Sequence, residues 1–293
     1  MNRPIGETGR TPAVTRRPLS RVLATALAAV VAIFLTAAAP VPRPMTAEQL
    51  AARGEAIANR IMALQRGGAT QRTIDRAMHR EYGLKPVPMA AQRSQLTEQR
   101  TQLTAAATST STESSCVNLP KPTAYYDTQA GAHIVSASWS WKNLPKSSTR
   151  CWVRDTSVYG GDVGGPDAFG IYLNRQVIYR SSGGNHWTER NARSRFVNPE
   201  DWDAYGVVYR SQDRSNTGNR EYTWDHGNVW MYFNLTTCAG TQTFTLKSKI
   251  GHTWSNASIS SASVSASGIS LTFTTTEHRW QAVNPTAGIY TPC

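Results

Sequence analysis

The chain is 293 residues long, 40% hydrophobic and 17% charged, which is enough apolar material for a core and too little charge for a disordered polyelectrolyte. Its four cysteines are too few for a knottin-like scaffold, and it has no second apolar tract of membrane-spanning length, which excludes a polytopic membrane protein. The formal charge of +12 divides along the chain: residues 1–44 carry six Arg against one Glu, residues 45–115 nine basic against six acidic, and residues 116–293 sixteen against twelve. The excess in the last segment is too small for a phosphate-binding footprint, so no nucleic-acid partner is expected.

An Arg-containing lead ends at Arg21, and residues 22–39 hold no charge. The run Ala37-Ala38-Ala39 supplies the small side chains a signal peptidase requires, and Pro40 stops any helix from continuing. Residues 1–39 therefore read as a signal peptide cleaved near Ala39, giving a secreted chain with no remaining membrane span. The stretch Thr15-Arg16-Arg17-Pro18-Leu19-Ser20-Arg21 follows the twin-arginine pattern except at Leu19, where Phe is usual. Both export routes stay open.

Residues 45–84 change to a helical period. Leu50, Ile57, Ile61 and Leu64 share one stripe, interrupted by Gly54 as its weak point, and Thr46 with Gln49 forms a capping box. Gly67-Gly68 ends this helix, Thr70 caps a second, and Ile74, Met78 and Tyr82 recur every four residues before Gly83 closes it. Such a short antiparallel hairpin cannot bury enough surface to be firmly stable alone and should dock on something. It reads as a pro-segment, a partner-binding arm or a spacer. Residues 85–115, with Pro86, Pro88 and a run of Ala, Thr, Ser and Glu, read as a disordered linker.

All nine tryptophans and ten of eleven tyrosines lie beyond Cys116. There the period shortens to two: Val135, Ala137, Trp139 and Trp141 alternate with smaller or polar residues, as do Phe169, Ile171 and Leu173, and Ile269, Leu271 and Phe273. Residues 229–235 are apolar on both faces except at Asn234, which predicts a central strand covered on each side. Turn clusters at residues 160–166, 181–185 and 216–219 separate the runs. The fold class is mainly β: an antiparallel β-sandwich or jelly roll over residues 116–293, preceded by the helical hairpin and the linker. An even cysteine count in an exported chain implies disulfides. Sequential pairing of Cys116 with Cys151 and Cys238 with Cys293 would pin both domain ends, with two other pairings possible.

No motif fixes a catalytic residue or a cofactor. Asp155, Asp162 and Asp167, with glycines between, offer oxygen ligands for Ca²⁺ but lack EF-hand spacing and better suit an ordinary Asp/Gly turn. Glu200, Asp201 and Glu221 could assemble a glycosidase-like pair, whereas His226, His252 and His278 lack the surrounding motif of a hydrolase or metalloprotease. Trp187, Trp202 and Trp224 sit among Asp, Asn, Glu and Thr, the composition of a sugar site with an aromatic floor, or of a loop packed over Trp. Arg190, Arg193 and Arg195 form part of the most basic stretch, which would suit an anionic wall polymer.

The stretch Lys249-Ile250-Gly251-His252-Thr253-Trp254-Ser255, the Ser-rich segments after it and Arg279-Trp280 resemble secreted β-rich actinobacterial proteins with no assigned function. That resemblance covers at most residues 116–293 and implies a compartment, with no site residues. Three functions are therefore carried forward: a non-enzymatic binding module for cell-wall or environmental polysaccharide using Trp187, Trp202 and Trp224; an exported hydrolase with a removable helical pro-segment; and a structural or inhibitory extracellular protein.

Overall fold

The capping box forms as its spacing predicts. Thr46 Oγ1 accepts from Gln49 N at 3.2 Å and Gln49 Oε1 accepts from Thr46 N at 2.9 Å, opening helix α1 (Ala47–Arg66). Thr70 caps α2 (Gln71–Tyr82), and Gly83 ends it in the left-handed region at φ 68°, where a residue without Cβ carries no steric penalty. A computed structural model describes residues 44–88, 116–142, 161–216, 221–237, 243–284 and 288–290. The expected signal peptide and nearly all of the expected linker lie outside these residues.

The chain then continues as strands, numbered in chain order: β1 (Leu84–Pro86), β2 (Val117–Asn118), β3 (Thr123–Asp127), β4 (Ala132–Trp141), β5 (Gly161–Asp162) and β6 (Asp167–Leu173). Next come β7 (Val177–Trp187), β8 (Arg193–Arg195), β9 (Asp201–Asp203), β10 (Gly206–Ser211), β11 (Arg214–Asn216) and β12 (Glu221–Tyr222). The last are β13 (His226–Leu235), β14 (Phe244–Thr253), β15 (Ile259–Ser265), β16 (Gly268–Phe273), β17 (Arg279–Val283) and β18 (Gly288–Tyr290). Lys85 and Pro86, expected in the linker, instead pair with Tyr126 and Tyr125 on β3. A proline is tolerated there because β1 is the edge.

One sheet runs β1-β3-β4-β13-β7-β8 with β2 also on β4, and a second runs β17-β14-β6-β10-β9 with β18 also on β14. The ladders are antiparallel, and the sheets face each other across a core of Val135, Ala137, Trp139, Phe169, Ile171, Val207, Val229, Met231, Phe233 and Ile250. The fold is thus mainly β, an antiparallel β-sandwich with two preceding helices. β13 is central as its two-sided apolar pattern predicts, with β4 on one side and β7 on the other.

Two further layers close the outer faces. The helical hairpin lies on the first sheet, where Leu50, Ile57, Ile61, Ile74 and Met78 meet Tyr125, Ile134, Trp230 and Tyr232. On the second sheet, Ala168 and Val208 are covered by Ile259, Ala262, Val264 and Ile269 of the β15–β16 hairpin. The outward residues of β4, Ser136 and Ser138, are consequently buried despite their polarity. The expected turn at residues 181–185 is instead the middle of β7. Its glycines are there for packing: a Cβ at Gly183 would stand 2.6 Å from Trp230 Cζ2.

Candidate functional site

The three tryptophans proposed as a sugar floor lie in three environments. Trp224 is 0% exposed, among Trp139, Phe196 and His186 in the inter-sheet core, so it offers no face to a ligand. Trp187, at the end of β7, is half-buried and stacks on His226 with ring centroids 5.2 Å apart and planes 5° apart. Trp202 on β9 is 52% exposed and stacks on Tyr179 of β7 at 4.5 Å and 27°.

Register explains the last contact. Trp202 is opposite Val207 and Tyr179 is opposite Phe233. Val207 and Phe233 both point into the core, so alternation aims Trp202 and Tyr179 inward from facing sheets, and they meet at the rim. Behind the stack the Tyr179 hydroxyl bonds Ser182 Oγ at 2.9 Å, and Ser182 Oγ bonds the Tyr209 hydroxyl at 2.8 Å. The flanking carboxylates are already engaged. Glu200 pairs with Arg210 at 3.1 Å, Asp201 accepts from Val264 N at 2.9 Å, and Asp203 accepts from Tyr205 N at 2.5 Å. Burial raises the Asp203 carboxyl above its ordinary range against that hydrogen bond, and the charge of Asp201 adds to the rise. An exposed ring backed by hydroxyls and rimmed by carboxylates can stack a pyranose face and exchange hydrogen bonds with its hydroxyls.

A second polar seam runs beneath α1. Arg53 donates to both Asp127 oxygens at 2.6 and 3.0 Å, and the Tyr232 hydroxyl donates to the same carboxylate at 2.6 Å. Burial alone would raise Asp127, but these two donors and the guanidinium charge hold it below the ordinary carboxylate range. Farther along, Asn59 Oδ1 accepts from Asn185 and Asn228, and Gln65 accepts from Ser138 at 2.7 Å. At the end of the helix Arg66 Nη1 lies 2.7 Å from His226 Nε2, while His226 Nδ1 lies 2.7 Å from Asp225 Oδ2. Because the guanidinium can only donate, Nε2 accepts and Nδ1–H donates to Asp225.

Of the basic stretch, Arg193 and Arg195 both clasp Glu55 of α1 at 2.7 Å, so part of that charge holds the helix down. The Asp/Gly loop divides as well. Asp162 pairs with Arg214 at 2.9 Å on the surface, Asp155 lies outside the described residues, and Asp167 is fully buried, accepting from Thr253 N at 2.9 Å and lying 2.6 Å from His252 Nδ1. Burial raises the Asp167 carboxyl, opposed by the charge and hydrogen bond of His252. The side chain of Glu221 and the residues Cys151, Cys238 and Cys293 are likewise outside the described residues. Cys116 is buried and is not a free thiol.

Sequence reasoning passed over Tyr179 and Asp127, the two residues that organise the rim and the seam. Tyr179 follows the apolar alternation of Val177, which was a usable signal. Asp127 is a lone acid between two tyrosines and a turn, with nothing nearby in sequence to mark it as the anchor for Arg53.

Among the described residues, no helix is long and apolar enough to cross a membrane. Compared with known proteins, the chain matches no family model, no curated protein and no solved structure, and the resemblance to secreted actinobacterial proteins finds no support there.

Proposed function

We propose that this chain is an exported, non-enzymatic binding module for polysaccharide, with the Trp202–Tyr179 stack as its sugar face. The observation that carries this reading is an indole ring half open to solvent, held flat by a second ring and backed by the Tyr179, Ser182 and Tyr209 hydroxyls. A ligand covering this ring would gain by removing its apolar area from water. Export is supported by the charge-free run that ends in three alanines at residues 37–39, and a disulfide at Cys116 by that residue being buried and not a free thiol.

Co-sedimentation of the full chain with cellulose, chitin, xylan and peptidoglycan tests the reading, the last with and without its anionic polymers. Trp202→Ala is expected to weaken retention by about 1–3 kcal/mol, roughly 5- to 150-fold, with no turnover of the glycan. Retention unchanged in Trp202→Ala would remove the site. Loss of binding only when the anionic polymers are stripped would move the ligand to a polyanion.

One observation favours the second reading, a hydrolase with a helical pro-segment. Asp225 orients His226, and Arg66 of α1 occupies the imidazole nitrogen that a substrate would need. Removing residues 44–88 would bare that nitrogen. Hydrolysis that appears on their removal and vanishes in His226→Ala would establish the enzyme, whereas neither hydrolysis nor glycan retention leaves the structural or inhibitory reading.

A further inference from the structure

The geometry points to a binding site for one divalent cation, of the Zn²⁺ or Mn²⁺ class, formed by Asp167, Asp213 and His252. Two of the residues lie on neighbouring strands and the third just past a strand paired with one of them. Asp167 begins β6 opposite Ser211 of β10, Asp213 follows two residues later, and His252 sits on β14 one step beyond the Gly251–Ala168 pair. Strand pairing therefore brings one imidazole and two carboxylates to the same end of the second sheet, each presenting a ligand atom within 4.8 Å of the others.

Tetrahedral or octahedral ligands at about 2.0–2.2 Å from a metal stand roughly 3–3.5 Å apart. His252 Nδ1 is 2.6 Å from Asp167 Oδ2 and 4.0 Å from Asp213 Oδ2, so shifts under an ångström bring these two pairs to that spacing once Nδ1 gives up its proton. The supporting bonds are also in place. Thr253 N–H fixes Asp167 Oδ1, and the Tyr222 hydroxyl donates to Asp213 Oδ2 at 2.7 Å. Such outer contacts hold carboxylate ligands in orientation.

Two features call for a cation at this point. All three side chains are fully buried, His252 lies against Trp141, Trp254 and Trp280, and among the described residues no Lys or Arg pairs with either carboxylate. Two buried carboxylates beside one imidazole leave negative charge uncompensated in an apolar wall, a costly state. Independently, Asp213 Oδ1 is buried with no hydrogen-bond partner among the described residues. A metal supplies the charge, and if it is held by both oxygens of the Asp213 carboxylate it also supplies the missing partner. Nitrogen in the donor set favours Zn²⁺ or Mn²⁺ over Ca²⁺, which takes oxygen ligands. This set shares only Asp167 with the Asp155, Asp162, Asp167 loop. With the ligands closed from solvent, the ion ties β6, β14 and the segment between β10 and β11 together, and burial keeps its remaining position from a substrate.

The experiment is metal analysis of the full chain, purified without chelators, then unfolded and refolded with Zn²⁺, with Mn²⁺ or with EDTA. We expect about one equivalent of metal that only unfolding releases, and a higher melting temperature after refolding with metal than with EDTA. Asp213→Asn and His252→Gln should each lower the affinity roughly tenfold or more. Metal-free protein whose melting temperature is the same in all three refolding conditions would overturn the proposal and leave protons as the neutralising charge. Full metal retention in both variants would also overturn it, by placing the ion elsewhere. If neither variant folds, stoichiometry and refolding of the unmodified chain decide.

Discussion

The indole of Trp230 lies against the backbone of Gly54: a Cβ built at Gly54 would stand 2.5 Å from Trp230 Cε3. Because Trp230 is itself buried at 2% exposure, the ring has nowhere to retreat. Gly54→Ala is expected to lower the unfolding free energy by about 1–3 kcal/mol through overpacking, even though alanine favours the helix by up to about 1 kcal/mol. Urea unfolding measures the balance. A variant as stable as the parent would mean that α1 does not seat this closely on the sheet.

The Arg53–Asp127–Tyr232 contact makes a second, larger prediction. Removing one partner of a buried pair strands the other, at a cost of about 3–5 kcal/mol. Asp127→Asn should approach that loss, because Asp127 is fully buried, whereas Glu55→Ala should cost under about 1 kcal/mol because its partners Arg193 and Arg195 are exposed. Asp127 also titrates lower in the folded than in the unfolded chain. The stability it contributes is fully present above its unfolded pKa of about 4 and is lost as pH falls through its folded value. Acid unfolding curves of Asp127→Asn should lack this component.

His133 sets a separate acid response. Its ring packs on Phe233 and against the edge of Tyr126, its Nε2 is buried without a partner among the described residues, and burial pushes its pKa down to about 4. The unfolded chain takes up a proton near pH 6.5 that the folded chain refuses, so stability is lost as pH falls from about 6.5 toward 4, by up to about 3 kcal/mol. His133→Phe should flatten that slope in guanidinium unfolding at pH 7.5 and pH 5. It should not abolish the slope, since burial also lowers His186. An unchanged slope would show that His133 protonates without cost in the fold.

Peptide mapping without reduction is expected to recover Cys116 joined to Cys151. A loop of that length contributes about 4 kcal/mol on the chain-entropy model. Recovery of Cys116 with Cys238 or Cys293 would replace the sequential pairing by a crossed one.

What the sequence revealed was periodicity and punctuation. The Thr46–Gln49 box, the Gly83 stop, the alternation through Trp139 and the two-sided pattern of residues 229–235 all express local rules, and the structure places them accordingly. Where reading failed, the cause was a neighbour distant in sequence. Gly183 and Gly184 look like a turn until Trp230 is known to fill the space above Gly183, and Gly54 looks like a flaw in a helix for the same reason. Ser136 and Ser138 look solvated until α1 covers them. The tryptophans could be counted but not aimed: only register across two sheets puts Trp202 on Tyr179 and sinks Trp224 into the core.

The pairing of β1 with β3 joins the helices to the sandwich by backbone as well as side chains. A single cut between residues 88 and 116 would thus not shed the N-terminal piece, but leave a nicked complex of two complementary fragments. Its dissociation would be bimolecular in reverse, so the loss of residues 44–88 would depend on dilution and on competition for the β3 edge. A partner that offers its own strand to Tyr125 and Tyr126 would compete directly for that position.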